Sequence, residues 1–273
     1  LHLCDRRQRQ MCIRDRVIED LSVIKKDGTV ALDNVQFTAY GGEILGIAGI
    51  SGCGQKELLE SIAGLQTATK KSSILYKPDD LGPQQLVGKT PKEIRNLGIA
   101  LSFVPEDRLG MGLVGNMDIV DNVMLRSYKE GKSAFLNRKA PKNKADDIIN
   151  ELEVVTPSAN TPVRRLSGGN IQKVLVGREI ALQPKVLMVA YPVRGLDINS
   201  SYTIYNLLNQ QKDEGVAVIF VGEDLDVLLQ LCDRIVVMCS GKVTGVLDAR
   251  KTTKEEIGLL MTKTGGADID KQD

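Results

Sequence analysis

Residues 42–65 read GEILGIAGISGCGQKELLESIAGL, and this stretch decides how the chain folds. GEILGIAGI (42–50) is an apolar run of strand length with no polar alternation, the pattern of a strand buried on both faces. It runs into a glycine-rich turn and then into QKELLESIAGL, where Leu58, Leu59, Ile62 and Leu65 recur at helical spacing. The unit is strand, glycine loop, helix. Upstream, VIEDLSV (17–23) and ALDNVQFTAY (31–40) alternate apolar and polar residues across the turn KKDG, which predicts two half-exposed antiparallel strands.

Downstream, residues 66–98 are polar and broken by Pro and Gly, and IALSFVPEDR (99–108) reads as a strand entering a loop. Residues 115–156 are helix-rich, with the amphipathic KADDIINELEV at 144–154, and are expected to form an inserted helical subdomain over about 108–165. IQKVLVGREIAL, KVLMVAYP, SSYTIYNLLNQQKDEG and VAVIFVG then alternate helix and strand, the order of a parallel sheet. LCDRIVVMCSGKVTGVL is expected to close the chain with two short strands around Ser240-Gly241. The domain proper is expected to span 17–262, followed by a polar tail at 263–273.

At 273 residues with 42% hydrophobic and 26% charged, the chain is long enough to bury one large core. Its formal net charge of +1 argues against nucleic acid as a partner, which calls for a clearly basic face. The first sixteen residues, LHLCDRRQRQMCIRDR, have no apolar periodicity and read as non-native or disordered. Removing their five Arg and two Asp leaves 31 basic and 33 acidic residues, so the positive sign belongs to that segment. His2, the only histidine, lies in it too. Cys4, Cys12, Cys53, Cys232 and Cys239 form no CxxC pair, which predicts a reducing, cytoplasmic setting. The longest apolar runs are strand-sized, so a membrane can be reached only through a partner.

GISGCGQK (49–56) nearly matches the phosphate loop G-x-x-x-x-G-K-[ST], with Gly49 and Gly54 at the two glycine positions. Ser51, Gly52, Cys53 and Gly54 can still turn backbone amides toward a phosphate at the positive end of the next helix. Gln55, however, stands at the lysine and Lys56 at the metal-binding hydroxyl. A charge-assisted hydrogen bond is worth about 1.5–3 kcal/mol, so the loss of Lys alone weakens nucleotide binding by about tenfold or more. Lys56 does not substitute, because one residue further round a helix its side chain leaves about 100° away. Cys53 reads as a space-filler, since no histidine is at hand to activate it as a nucleophile. By itself the loop is also compatible with a plain strand-to-helix turn.

The sharper signal is LSGGNIQK at 166–173. Leu166, Ser167, Gly168, Gly169 and Asn170 open a helix, so two glycine amides and a serine hydroxyl form a patch able to face an anion, or else Ser167 is an ordinary helix cap. With the phosphate-type loop about 110 residues earlier, the string resembles the ABC ATPase family, whose signature reads LSGGQ. LSGGN-x-QK, VPEDR, P-x-RGLD and GEDLD are similar to the second domain of the double ATPase of simple-sugar and nucleoside importers. TPSANTPVRRLSGGN and EEIGLLM lean toward the nucleoside branch.

That resemblance implies an α/β fold: a RecA-like P-loop ATPase core with an N-terminal antiparallel β region and an inserted helical subdomain. It also implies ATP and Mg²⁺ bound between two halves, each site using one half's phosphate loop and the other's signature. The expected partners are an N-terminal ATPase half, membrane permease subunits and, indirectly, an external solute-binding protein, at the cytoplasmic face of the membrane. By the same resemblance Ala190 stands at the magnesium-organising Asp, Tyr191 at the catalytic Glu, Glu223 at the switch histidine and Glu106 at the glutamine loop. Alanine offers no oxygen, a phenol keeps its proton at neutral pH, and a carboxylate repels a γ-phosphate. No aromatic residue near Val23 and Ile24 is placed to stack on adenine.

No catalytic group or metal site is therefore expected in this half, which instead donates its signature, with Asp197 at the interface or as a helix cap. Two other readings compete. A non-transport ABC regulator or scaffold is disfavoured by VPEDR followed by a helical insertion, and a stand-alone P-loop kinase or hydrolase by the missing Lys, Asp and Glu.

Overall fold

A computed structural model describes residues 15–25, 27–77, 82–128 and 137–262. The expected polar tail and residues 1–14 of the opening segment lie outside them. The chain divides into two compact units, one holding residues 1–101, 185–190 and 208–273, the other 102–184 and 191–207.

In the first unit, β1 (Asp15–Ile24) pairs antiparallel with β2 (Val30–Ala39), as the alternating patterns imply, and begins two residues inside the segment set aside on composition. β3 (Ile44–Ala48) is buried along its whole length and leads through the glycine loop to α1 (Gln55–Ile62), which buries Leu58, Leu59 and Ile62. Residues 66–98 hold more structure than their polarity suggested. β4 (Ser73–Lys77) and β5 (Gln84–Gln85) extend the first sheet to the order β2-β1-β4-β5. α2 (Pro91–Asn96) starts on a capping box in which Thr90 and Glu93 satisfy each other's backbone amides.

The chain enters the second unit along β6 (Leu101–Val104). A π-helical turn over Arg108–Gly112 follows, capped by Asp107, whose carboxylate accepts from the Gly110 amide at 2.8 Å. Next come α3 (Ile119–Met124), α4 (Lys139–Glu151), a 3₁₀ turn (Val163–Arg165) and α5 (Gly168–Ile180). α4 packs on α5 at Gly177, where a Cβ would lie 2.8 Å from Ile148. Beneath them Glu179, buried, binds both Arg178 and Arg126.

β7 (Val186–Ala190) belongs to the first unit, the opening turns of α6 (Ile198–Asp213) to the second, and β8 (Ala217–Val221), α7 (Leu225–Leu231), β9 (Arg234–Cys239), β10 (Lys242–Asp248) and α8 (Lys254–Thr262) to the first again. β9 and β10 are the hairpin expected around Ser240-Gly241. Five strands of the first unit run in the order β10-β9-β3-β8-β7, and β9, β3, β8 and β7 are parallel. Val221 pairs with Ile47 on one side and Ala190 on the other, so β3, β8 and β7 end together at one sheet edge. Ligands of open α/β sheets bind outside such carboxyl ends.

Candidate functional site

The loop after β3 leaves that edge. Gly52 and Gly54 have φ of +88° and +98°, in the left-handed region that glycine adopts without strain, and Gly54 caps α1. The loop is braced from behind. Gly241 donates its amide to the Cys53 carbonyl at 3.2 Å, and the Asp33 amide donates to the Gly241 carbonyl at 2.9 Å. Cys53 is buried, as befits a space-filler. A Cβ on Gly54 would lie 2.7 Å from the Ala31 carbonyl oxygen, whereas one on Gly52 would meet nothing within 4 Å. Gly54→Ala is therefore expected to lower stability by about 3 kcal/mol or more, and Gly52→Ala by only about 1 kcal/mol, in urea unfolding. Equal losses would contradict the bracing.

Gln55 is 3% exposed and its Nε2 donates to the Ile50 carbonyl at 3.1 Å, turned back under its own loop. A Cβ on Gly49 would lie 2.6 Å from that nitrogen, so the amide fills the space the glycine leaves. Gln55 closes the loop rather than reaching out of it. Lys56 points away, with a 65% exposed side chain whose Nζ lies 3.8 Å from Glu60.

At the same sheet edge Ala190 is buried, and exposed Glu223 stands two residues beyond Val221. Within the glycine loop the Cys53 amide donates to the Ile50 carbonyl at 3.2 Å, so that amide, expected to turn toward a phosphate, is already bonded. The metal fits poorly: Ala190 offers no side-chain oxygen, position 56 carries an ammonium, and among the described residues no cluster of three His, Cys, Asp or Glu could hold an ion.

The second unit gathers a different set. Ser167 caps α5, its hydroxyl accepting from the Asn170 amide at 3.4 Å and from Asn170 Nδ2 at 2.9 Å. Asn170 Oδ1 in turn accepts from the Val155 amide at 3.0 Å. Of the two readings of Ser167, the helix cap is the one these bonds form. Gly169 has to be small, since a Cβ would lie 3.0 Å from Ser200 Oγ and 3.6 Å from Asp197. Asp197 caps α6, accepting from the Ser200 amide at 2.9 Å and the Ser200 hydroxyl at 2.7 Å, and these bonds hold its carboxyl below the usual range.

Tyr191 has a left-handed φ of +47°, and the Arg194 guanidinium lies 5.6 Å from its ring centroid. Arg194 also pairs with Glu106. Arg108 donates to the Gly168 carbonyl at 3.4 Å and to the Arg194 carbonyl. Glu106, the signature and Asp197 were expected to matter. Arg108, Arg194 and Ser200 were not singled out, though VPEDR and P-x-RGLD contain the two arginines.

Residues 32–192 match the ABC transporter family. The chain belongs to that family. It is 38% identical over 233 residues to the xylose import ATP-binding protein of Moorella thermoacetica, covering 85% of this chain and 44% of the relative. Against the guanosine import ATP-binding protein of Bacillus subtilis it is 36% identical over 247 residues, covering 89% and 47%. Against the ribose import ATP-binding protein of Clostridium tetani the figures are 36%, 82% and 43%. The chain spans about half the length of the curated relatives it matches. In fold it is similar to a dimeric bacterial ABC transporter cassette (TM-score 0.73, 23% identity, 87% of this chain and all of that one). A nucleotide-free ABC cassette gives a TM-score of 0.71 at 22% identity, over 92% and 96%.

The second unit of this ABC domain also carries a groove of about 440 Å³ along Leu109–Asn116, closed by Leu125, Arg126 and Arg178. Leu109, Met111, Val114 and Leu125 each expose more than a third of their surface there.

Proposed function

We propose that this chain is the second nucleotide-binding half of an importer ATPase that powers uptake of a simple sugar or nucleoside. In this reading it donates its signature to a site built on the first half and does not itself turn over ATP. One observation carries the reading: the phosphate loop has turned Gln55 inward onto the Ile50 carbonyl at the position where the family pattern has its lysine. ATP and Mg²⁺ are then held mainly by the partner half, whose own phosphate loop supplies the missing charge.

The groove of Leu109–Asn116 is the surface for a membrane permease subunit, and its apolar rim supports that role. No helix among the described residues is long and apolar enough to cross a membrane; relatives named as import ATP-binding proteins support a peripheral place on the cytoplasmic face. The solute meets the permease and an external binding protein rather than this domain. Relatives named for xylose, guanosine and ribose support the sugar and nucleoside class, and TPSANTPVRRLSGGN favours the nucleoside branch.

Calorimetry of Mg-ATP with the chain tests the degenerate loop. Backbone amides alone, without the lysine or a metal anchor, are expected to give millimolar affinity or none. Micromolar binding, or ATP turnover by the chain alone, contradicts the reading.

A further inference from the structure

Three stretches distant in sequence meet inside the second unit: Glu106–Gly112, Leu166–Asn170 and Tyr191–Asp197. Two arginines tie them together. Arg108 spans from the Gly168 carbonyl to the Arg194 carbonyl, so one guanidinium grips the main chain of both other stretches. Arg194 returns the connection, pairing with Glu106 and lying over the Tyr191 ring.

We propose that Arg108 and Arg194 are positioning residues, forming a latch that sets the signature loop in donor geometry without nucleotide in this half's own site. The inference rests on the donor role proposed above and names the residues that maintain it.

The Gly168 carbonyl and the Gly169 N–H belong to one planar trans peptide, so they point in opposite directions. A guanidinium holding the carbonyl thereby fixes where the Gly169 donor faces. On the other side of that peptide a Cβ at Gly169 would lie 3.0 Å from Ser200 Oγ, so little room is left for a side chain there. Arginine suits the task because its rigid fork serves two acceptors at once and it keeps its charge at any working pH. A lysine offers a single point charge. A π-helical turn at Arg108–Gly112, rare in ordinary helices and frequent at functional places, aims Arg108 at these carbonyls.

The departures from the family pattern gain a common reason. A glutamine at position 106 forms no ion pair with Arg194, and Tyr191 gives that arginine an aromatic face. Two of the replacements implied by the resemblance, Glu106 and Tyr191, are thus also contacts of the latch.

The test is a double-mutant cycle in the full two-half ATPase assembled with its permease, reading steady-state hydrolysis against ATP concentration. Glu106→Gln and Arg194→Gln are each expected to lower kcat about tenfold while KM for ATP stays within about twofold. The double variant is expected to fall about tenfold as well, because partners in one contact do not lose independently. Arg108→Gln is expected to show the same split between kcat and KM, and Arg108→Lys to keep an intermediate rate by reaching one carbonyl.

Single variants with wild-type kcat, a double variant lowered about a hundredfold, or a wild-type rate for Arg108→Gln each overturn the latch. Ser167→Arg in the same preparation separates the two claims. If it abolishes hydrolysis while the latch variants keep the wild-type kcat, the latch alone is wrong; if it leaves hydrolysis intact, the donor role fails.

Discussion

Ser167→Arg or Gly168→Asp in the intact two-half ATPase is expected to abolish hydrolysis and transport, although neither residue belongs to this half's own phosphate loop. The Ser167 hydroxyl and the following glycine amides sit at the start of α5, a thirteen-residue helix whose dipole favours negative charge there. In the closed pair of halves proposed above they would face the γ-phosphate held by the other half. Losing one such preorganised donor typically costs about 10²–10³ in kcat. A carboxylate at position 168 adds repulsion of about 4 kcal/mol for unit charges about 4 Å apart near a protein surface. The new side chain would also start 3.3 Å from the Arg108 guanidinium and draw it off the Gly168 carbonyl. Gln55→Ala in the same protein is expected to keep most of the activity, because it frees only the Ile50 carbonyl from its side-chain partner. Hydrolysis lost in Gln55→Ala and kept in Ser167→Arg would reverse the roles assigned to the two loops. The assay is ATP turnover of the reconstituted importer with purified variants.

Much of this was legible along the chain because it depends on neighbours in sequence. The apolar run at 44–48, the glycines after it and the helical spacing of Leu58, Leu59 and Ile62 are local signals, and strand, loop and helix follow them. The departures from the family pattern at positions 55, 56, 190 and 191 are likewise read from side-chain type. What the sequence hid is tertiary. β4 has five residues and β5 two, too short to stand out from a polar stretch; β4 forms on the edge that β1 offers, and β5 on the edge of β4. The capping box at Thr90–Glu93 was present as TPKE and could have marked α2.

The helical insertion expected at about 108–165 lies within a larger compact unit, because the signature helix and the residues after β7 pack with it. Arg108 makes its two contacts across 60 and 86 residues, and no periodicity reports a contact of that range. Gln55 shows a different limit. Its type predicted the loss of a charge, but only its burial shows that the amide closes the loop.

The number of nucleotides trapped by the closed importer tests most directly whether one half donates while the other hydrolyses. Vanadate with ADP mimics the phosphoryl-transfer state in a site able to form it, so the loop that the trapped nucleotide labels identifies the competent site. This half brings an inward-turned Gln55, an exposed Lys56 paired with Glu60, and Ala190 where a metal-organising carboxylate is needed. Without the Lys contact and the metal, a transition state for phosphoryl transfer loses its main electrostatic support, a deficit of many orders of magnitude in rate. One ADP per two-half protein is therefore expected, labelled on the other half, with a count of zero in Ser167→Arg. Two trapped ADP per protein, or photolabelling of the 49–56 loop by a trapped azido-nucleotide, would show that this half hydrolyses ATP and would contradict the account.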